Sequence, residues 1–104
     1  MKQTHPDPAL FRERASEAAK LLRTMSNEHR LMILCRLGDG EQSAGDLQAG
    51  TPLSQSALSQ HLAVLREEGL VATRRAGLNI FYRIEDPSAL LIIETLAQIF
   101  CPEE

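Results

Sequence analysis

Two thiols, Cys35 and Cys101, are the residues of this 104-residue chain best suited to do chemistry, and it has no other cysteine. They stand far apart in sequence, so the fold must bring them together before they can react. A lone cysteine in a protein interior usually acts as a small hydrophobe. Two on separate elements can instead share an oxidant and end in a bridge. Each falls on an apolar stripe at helical spacing: Leu31, Leu34 and Cys35 in one segment, Ile93, Ala97 and Cys101 in another. Two such helices packed side by side would present sulfur to sulfur. Activation is not obvious. Cys101 closes a helix and gains none of the thiolate stabilisation of an N-terminus, and burial of Cys35 among leucines would disfavour its thiolate. Two packed cysteines with no sensing role therefore stay open as an alternative.

A chain of 104 residues makes one domain, 1–104, with a modest core that is often completed by dimerisation. No apolar run approaches the roughly 18 residues of a membrane span. The stretch 1–8 is polar and has no signal-peptide core, and 1–7 is expected to be flexible. These features predict a cytoplasmic protein, where a cysteine pair is more often regulatory than structural. The net charge is −3, but it is unevenly spread. Residues 1–53 are neutral, 54–84 carry four arginines against two glutamates, and 85–104 hold five acids and no base. A local basic face on an acidic protein still suits DNA, because phosphate contacts depend on local potential.

The elements that must position these residues follow from periodicity. Leu10, Phe11, Ala15, Ala18, Ala19, Leu22 and Met25 predict a first helix over 8–25. Ser26 or Asn27 caps a second helix that stops at Gly38-Asp39-Gly40. A short third helix over 43–49 turns Leu47 inward and is broken by Gly50-Thr51-Pro52. Ser54 caps a fourth, over 55–68, with Leu58, Leu62 and Leu65 inside and Gly69 ending it. The period then changes. Two β-favouring runs, 70–75 and 80–84, flank 76–79 and read as a hairpin. Pro87 opens a last helix running to about Phe100, apolar on most faces. Such a helix needs partners on more than one side. It is expected to seal a homodimer with the first helix, Ile93 and Leu96 being the contacts a charge would break.

The predicted fold is thus mainly α with a small β-hairpin: a winged helix-turn-helix of five helices and a two-stranded wing, dimeric. The third and fourth helices form the helix-turn-helix. Opposite the leucine stripe of the fourth lie Gln55, Ser56, Ser59 and Gln60. These short, uncharged side chains suit close approach to base edges, where Gln pairs with adenine and Ser donates or accepts. His61 stands at the margin of that face, to touch DNA or to pack beneath the helix. In the hairpin, Arg74, Arg75 and Arg83 are candidates for phosphate or minor-groove contacts, with Asn79 at the tip. The expected partner is a double-stranded DNA operator.

The segment Thr24-Met25-Ser26-Asn27-Glu28-His29-Arg30-Leu31-Met32-Ile33-Leu34 resembles the second-helix signature of the arsenic-repressor (ArsR) family of bacterial regulators. Leu53-Ser54-Gln55-Ser56-Ala57-Leu58-Ser59-Gln60-His61-Leu62 through Gly69-Leu70-Val71 resembles its recognition-helix block, and 74–83 its wing. The resemblance implies a homodimer on a palindromic operator and repression relieved by an inducer. Family members that sense metals often carry a Glu-Leu-Cys-Val-Cys-Asp-Leu pattern in the third helix. Here Ser43 and Gly45 occupy the cysteine positions. Nor does the last helix have the Asp and His pairs of another family site. No set of His, Cys, Asp or Glu has metal-ligand spacing, so no metal and no cofactor is expected. Cysteines placed like Cys35 and Cys101 resemble those of the persulfide- and thiol-sensing BigR/SqrR/HlyU branch. That resemblance implies sulfane sulfur or an oxidant as inducer, bridging the two within one subunit and lowering DNA affinity. A metal or metalloid sensor with a non-standard cysteine site, and a DNA-binding protein with no inducer, remain as alternatives. An enzyme is not expected: there is no C-x-x-C, no βαβ pattern, no Ser/His/Asp arrangement and no phosphate-binding glycine loop.

Overall fold

The computed structural model describes residues 7–102. The stretch 1–7 expected to be flexible lies outside it except for Asp7, which caps the first helix: its carboxylate accepts from Ala9 N–H at 3.1 Å. This helix, α1, spans Pro8–Met25, yet only Thr24 and Met25 are buried in it. Helix α2, Glu28–Leu37, begins at Asn27, whose side-chain oxygen accepts from His29 and Arg30 N–H at 2.9 and 3.1 Å. Asn27, not Ser26, is therefore the cap.

Strand β1 is Gln42–Ser43 and leads straight into α3, Ala44–Ala49, capped by Ser43. The turn to the next helix is tied at both ends. Gln48 Nε2 donates to Leu53 O at 2.8 Å, and Leu53 N–H donates to Thr51 Oγ1 at 3.2 Å. Helix α4, Gln55–Glu67, starts at the Ser54 cap. It ends where Gly69 takes a φ of +81°, so that Leu70 N–H reaches back to Leu65 O at 2.9 Å. That glycine-dependent closure turns the chain into the wing. Strands β2, Val71–Ala76, and β3, Asn79–Ile84, meet at a two-residue turn, with Ala76 opposite Asn79. Gly77 supplies the positive φ, +62°, that such a tight turn needs. Helix α5, Pro87–Phe100, completes the chain.

The winged helix-turn-helix expectation holds, with one addition. The sheet has three antiparallel strands in the order β1-β3-β2, not two. Gln42 and Ser43 pair with Tyr82 and Phe81, which anchors the wing to the start of the helix-turn-helix. The core lies between α2, α4, α5 and the sheet. It is built from Ile33, Leu34, Leu37, Leu47, Leu58, Leu62, Leu65, Leu70, Val71, Ala89 and Ile93, closed by Met25. No helix of the described residues is long and apolar enough to cross a membrane.

The α2 stripe is rotated from its expected position. Ile33, Leu34 and Leu37 face the core, Leu31 packs partly against it, and Cys35 is exposed. The residue after Leu34 turns away from the leucines, about 100° round the helix. Cys101 is likewise exposed. It stands at the cap of α5, its N–H donating to Ala97 O at 2.7 Å. Neither thiol is the buried stripe residue its spacing predicted.

Candidate nucleic-acid interface and thiol pair

The outward face of α4 is set by its inward one. With Leu58, Leu62 and Leu65 buried, helical geometry turns Gln55, Ser56, Ser59 and Gln60 to solvent, and all four are exposed. None of their side chains is held in a hydrogen bond among the described residues, so their donors and acceptors are free for a ligand. Ser59 also opens onto a groove of about 430 Å³ between α4 and the sheet, lined by Ala63, Arg66 and Tyr82. This groove brings the helix face and the wing onto one side of the molecule.

His61, at the margin of that face, is half-buried, unlike those four. Its ring lies 5.6 Å from that of His29, tilted by 37°, where α4 meets the start of α2. Burial holds its pKa below the ordinary histidine value, and the nearby charge of Arg30 and the His29 ring act in the same direction. The ring thus packs in part on His29 and stays in part exposed, so both positions the sequence left open for His61, DNA contact and packing, stand.

The wing arginines differ from one another. Arg74 donates from Nε and Nη2 to the two carboxylate oxygens of Glu41, both at 2.8 Å. Its guanidinium also lies 4.6 Å from the centre of the Phe81 ring. The paired guanidinium holds the Glu41 carboxyl below the usual carboxylate range. Arg75 is exposed, and among the described residues no carboxylate pairs with it. Arg83 has one contact at 3.4 Å, to Glu85. Asn79 is exposed beside the turn, and the neighbouring Leu78 is 98% exposed. Sequence reasoning grouped the arginines together. It missed Glu41, because nothing in the sequence signals a pairing across 33 positions.

Arg36 and Gln42 were also missed. The Arg36 guanidinium donates to Gln42 Oε1 and to Asp46 O, at 3.1 and 3.2 Å, and Gln42 Nε2 returns a bond to Arg36 O at 3.1 Å. The end of α2 is thereby tied to β1 and to α3.

The thiols stand on elements that touch. Helices α2 and α5 pack on each other, with the Leu90 side chain lying by Gly38 at the end of α2. Cys35 and Cys101 are both unbridged and exposed. Among the described residues no three His, Cys, Asp or Glu side chains are grouped so as to hold a metal ion.

Known proteins share this fold. The family model for bacterial regulatory proteins of the arsR family matches residues 27–73, from the α2 cap into β2. The chain is 49% identical over 100 residues to the biofilm growth-associated repressor of Agrobacterium fabrum, an alignment covering 95% of this chain and 85% of that protein. The crystal structure of the transcriptional repressor BigR from Xylella fastidiosa superposes with a TM-score of 0.88 at 42% identity, covering 94% of this chain and all of that one. Reduced HlyU from Vibrio cholerae superposes with a TM-score of 0.83 at 45% identity, covering 88% and 96%. With its helices and wing matched along nearly the whole chain, the chain belongs to the ArsR family of bacterial regulatory proteins, DNA-binding regulators of transcription and not enzymes.

Proposed function

We propose that the chain is a homodimeric repressor that binds a palindromic operator and releases it when Cys35 and Cys101 become bridged within one subunit. One observation carries the switch: two free, exposed thiols stand on α2 and at the end of α5, helices packed on each other. That a relative has been solved in a form called reduced supports the same reading. A reducing cytoplasm would keep such a pair as thiols at rest.

In the bridging step the two thiols give up two protons and two electrons. A hydroperoxide taking them leaves as water and alcohol, or as two waters, and the product is a disulfide. A hydrogen polysulfide taking them loses its two end sulfurs as two molecules of hydrogen sulfide and leaves the rest between the cysteines. A direct disulfide needs Cα atoms within about 7 Å, and inserted sulfur atoms tolerate a wider gap.

Base reading falls to Gln55, Ser56, Ser59 and Gln60, and phosphate positioning to Arg75 and Arg83, with Asn79 at the wing tip. The dimer is supported by apolar side chains left uncovered on α1 and α5: Leu10, Phe11 and Leu22 on one, Leu91, Ile99 and Phe100 on the other. In a two-fold dimer the α4 helices must meet half-sites about one DNA turn apart, roughly 34 Å. A bridge that pulls α2 and α5 together within each subunit alters that spacing.

The test is fluorescence anisotropy on an operator duplex, with and without inorganic polysulfide, alongside mass spectrometry. Parent protein should lose DNA as mass appears between Cys35 and Cys101. Cys35→Ser and Cys101→Ser should bind and no longer be released. Release of the double serine variant by polysulfide would rule the switch out.

A further inference from the structure

Among the described residues Arg74 is the one wing arginine held on both prongs by a carboxylate, Arg83 having a single longer contact to Glu85. The Arg74 side chain starts on β2, crosses the middle strand over the Phe81 ring, and ends on Glu41, just before β1. It therefore spans all three strands, joining one edge of the sheet to the other. Exposed ion pairs are usually weak, but a two-pronged guanidinium–carboxylate pair stacked on an aromatic ring is the geometry in which they hold. The far end is anchored as well. Gln42, next to Glu41, exchanges two side-chain hydrogen bonds with Arg36 at the end of α2.

We infer that Arg74 is a positioning residue: through Glu41 it fixes the angle of the wing against the helical body, and the DNA phosphates are left to Arg75 and Arg83. A guanidinium with a carboxylate at 2.8 Å on each prong brings little net charge to a phosphate. It releases few counterions, and counterion release is what gives a phosphate contact its salt dependence. The role presupposes that the chain binds duplex DNA.

The probe is a labelled duplex recovered from a random-sequence pool by repeated selection on the parent protein. Anisotropy over a salt series gives Kd and the slope of its logarithm against log salt. Arg75→Ala should reduce the slope by about 0.9, the loss of one phosphate contact. Arg74→Ala should keep the parental slope and weaken binding roughly three- to tenfold, the cost of ordering a loosened wing on binding. Glu41→Ala should weaken binding too, although removing an acid would strengthen it if electrostatics alone mattered. The double variant should bind no worse than Arg74→Ala. Amide exchange over 75–80 should quicken in both single variants, a reading that needs no DNA. A slope reduced by Arg74→Ala as much as by Arg75→Ala would make Arg74 a phosphate contact and overturn the assignment. So would unchanged wing exchange in Glu41→Ala. If selection recovers no duplex, the DNA-binding reading falls instead, and the exchange data still decide whether the clasp holds the wing.

Discussion

Arg36 lies where a side chain on Gly50 would stand: a Cβ there would overlap the guanidinium. The two residues sit at the end of α2 and just past α3, and the missing side chain lets Arg36 reach Asp46 O and Gln42 Oε1. Gly50 has an ordinary φ of −95°, so its absent Cβ, not its backbone freedom, is what the structure uses. Gly50→Ala should displace the flexible Arg36 guanidinium and lose both bonds, a destabilisation of at most about 1 kcal/mol by denaturant unfolding. Arg36→Ala should cost a similar amount, and the double variant little more than either alone. Full additivity would show that the two do not act together.

The partial burial of His61, with Arg30 and His29 beside it, makes stability depend on pH. The folded-state pKa of His61 is depressed, so the unfolded chain binds its proton more readily. This contribution is complete above the unfolded value of about 6.5 and is lost as pH falls through the folded one. The groups facing it are His29 and Arg30, both of which oppose a further positive charge. Calorimetry at about pH 7.5 and 5.5 should show a lower Tm at the acidic value. His61→Gln should shrink that difference, and an undiminished difference would place the acid sensitivity elsewhere.

Long periodic segments were legible in the sequence and local exceptions were not. Helices α1, α4 and α5 fall within a residue of their predicted bounds, because capping residues and leucine spacing agree there. Strand β1 escaped because two residues carry no period. The stripe through α2 was misjudged because Leu31, Ile33, Leu34, Cys35 and Leu37 fit more than one helical face, and only packing chooses Ile33 over Cys35. The exposed polar face of α4 was visible because it is the complement of a clear apolar stripe. The Glu41–Arg74 clasp was invisible because its partners meet only when three strands assemble.

Base readout by α4 predicts an asymmetry between helix and wing. Ser59→Ala and Gln60→Ala remove exposed side chains that hold nothing in the free protein, so stability should not change. Each should still cost about 1–3 kcal/mol of operator binding where it meets a base, and relax preference at that base pair. Arg75→Ala should instead weaken all sequences alike. Anisotropy on an operator and its single-base variants checks both, and parental affinity in the two α4 variants would move the reading surface off this face.

The dimer prediction needs different residues from those the sequence pointed to. Ile93 is 6% exposed and belongs to the core of a single subunit, so Ile93→Glu buries a charge and should unfold the chain, telling nothing of association. Ile99 and Phe100 are 61% and 74% exposed on the last turn of α5, beside Cys101. Ile99→Glu and Phe100→Glu should keep the helical circular dichroism of the parent yet sediment as monomers at micromolar concentration. Operator affinity should fall with the dimer, because two half-sites are then met by separate molecules. Retention of the parental sedimentation coefficient by both variants would exclude this end of α5 from the interface. Their proximity to Cys101 adds a further expectation. If the dimer is sealed there, bridging Cys101 to Cys35 draws on residues next to the seam, and polysulfide should shift the parent's sedimentation or its cross-linking pattern while leaving the double serine variant unchanged.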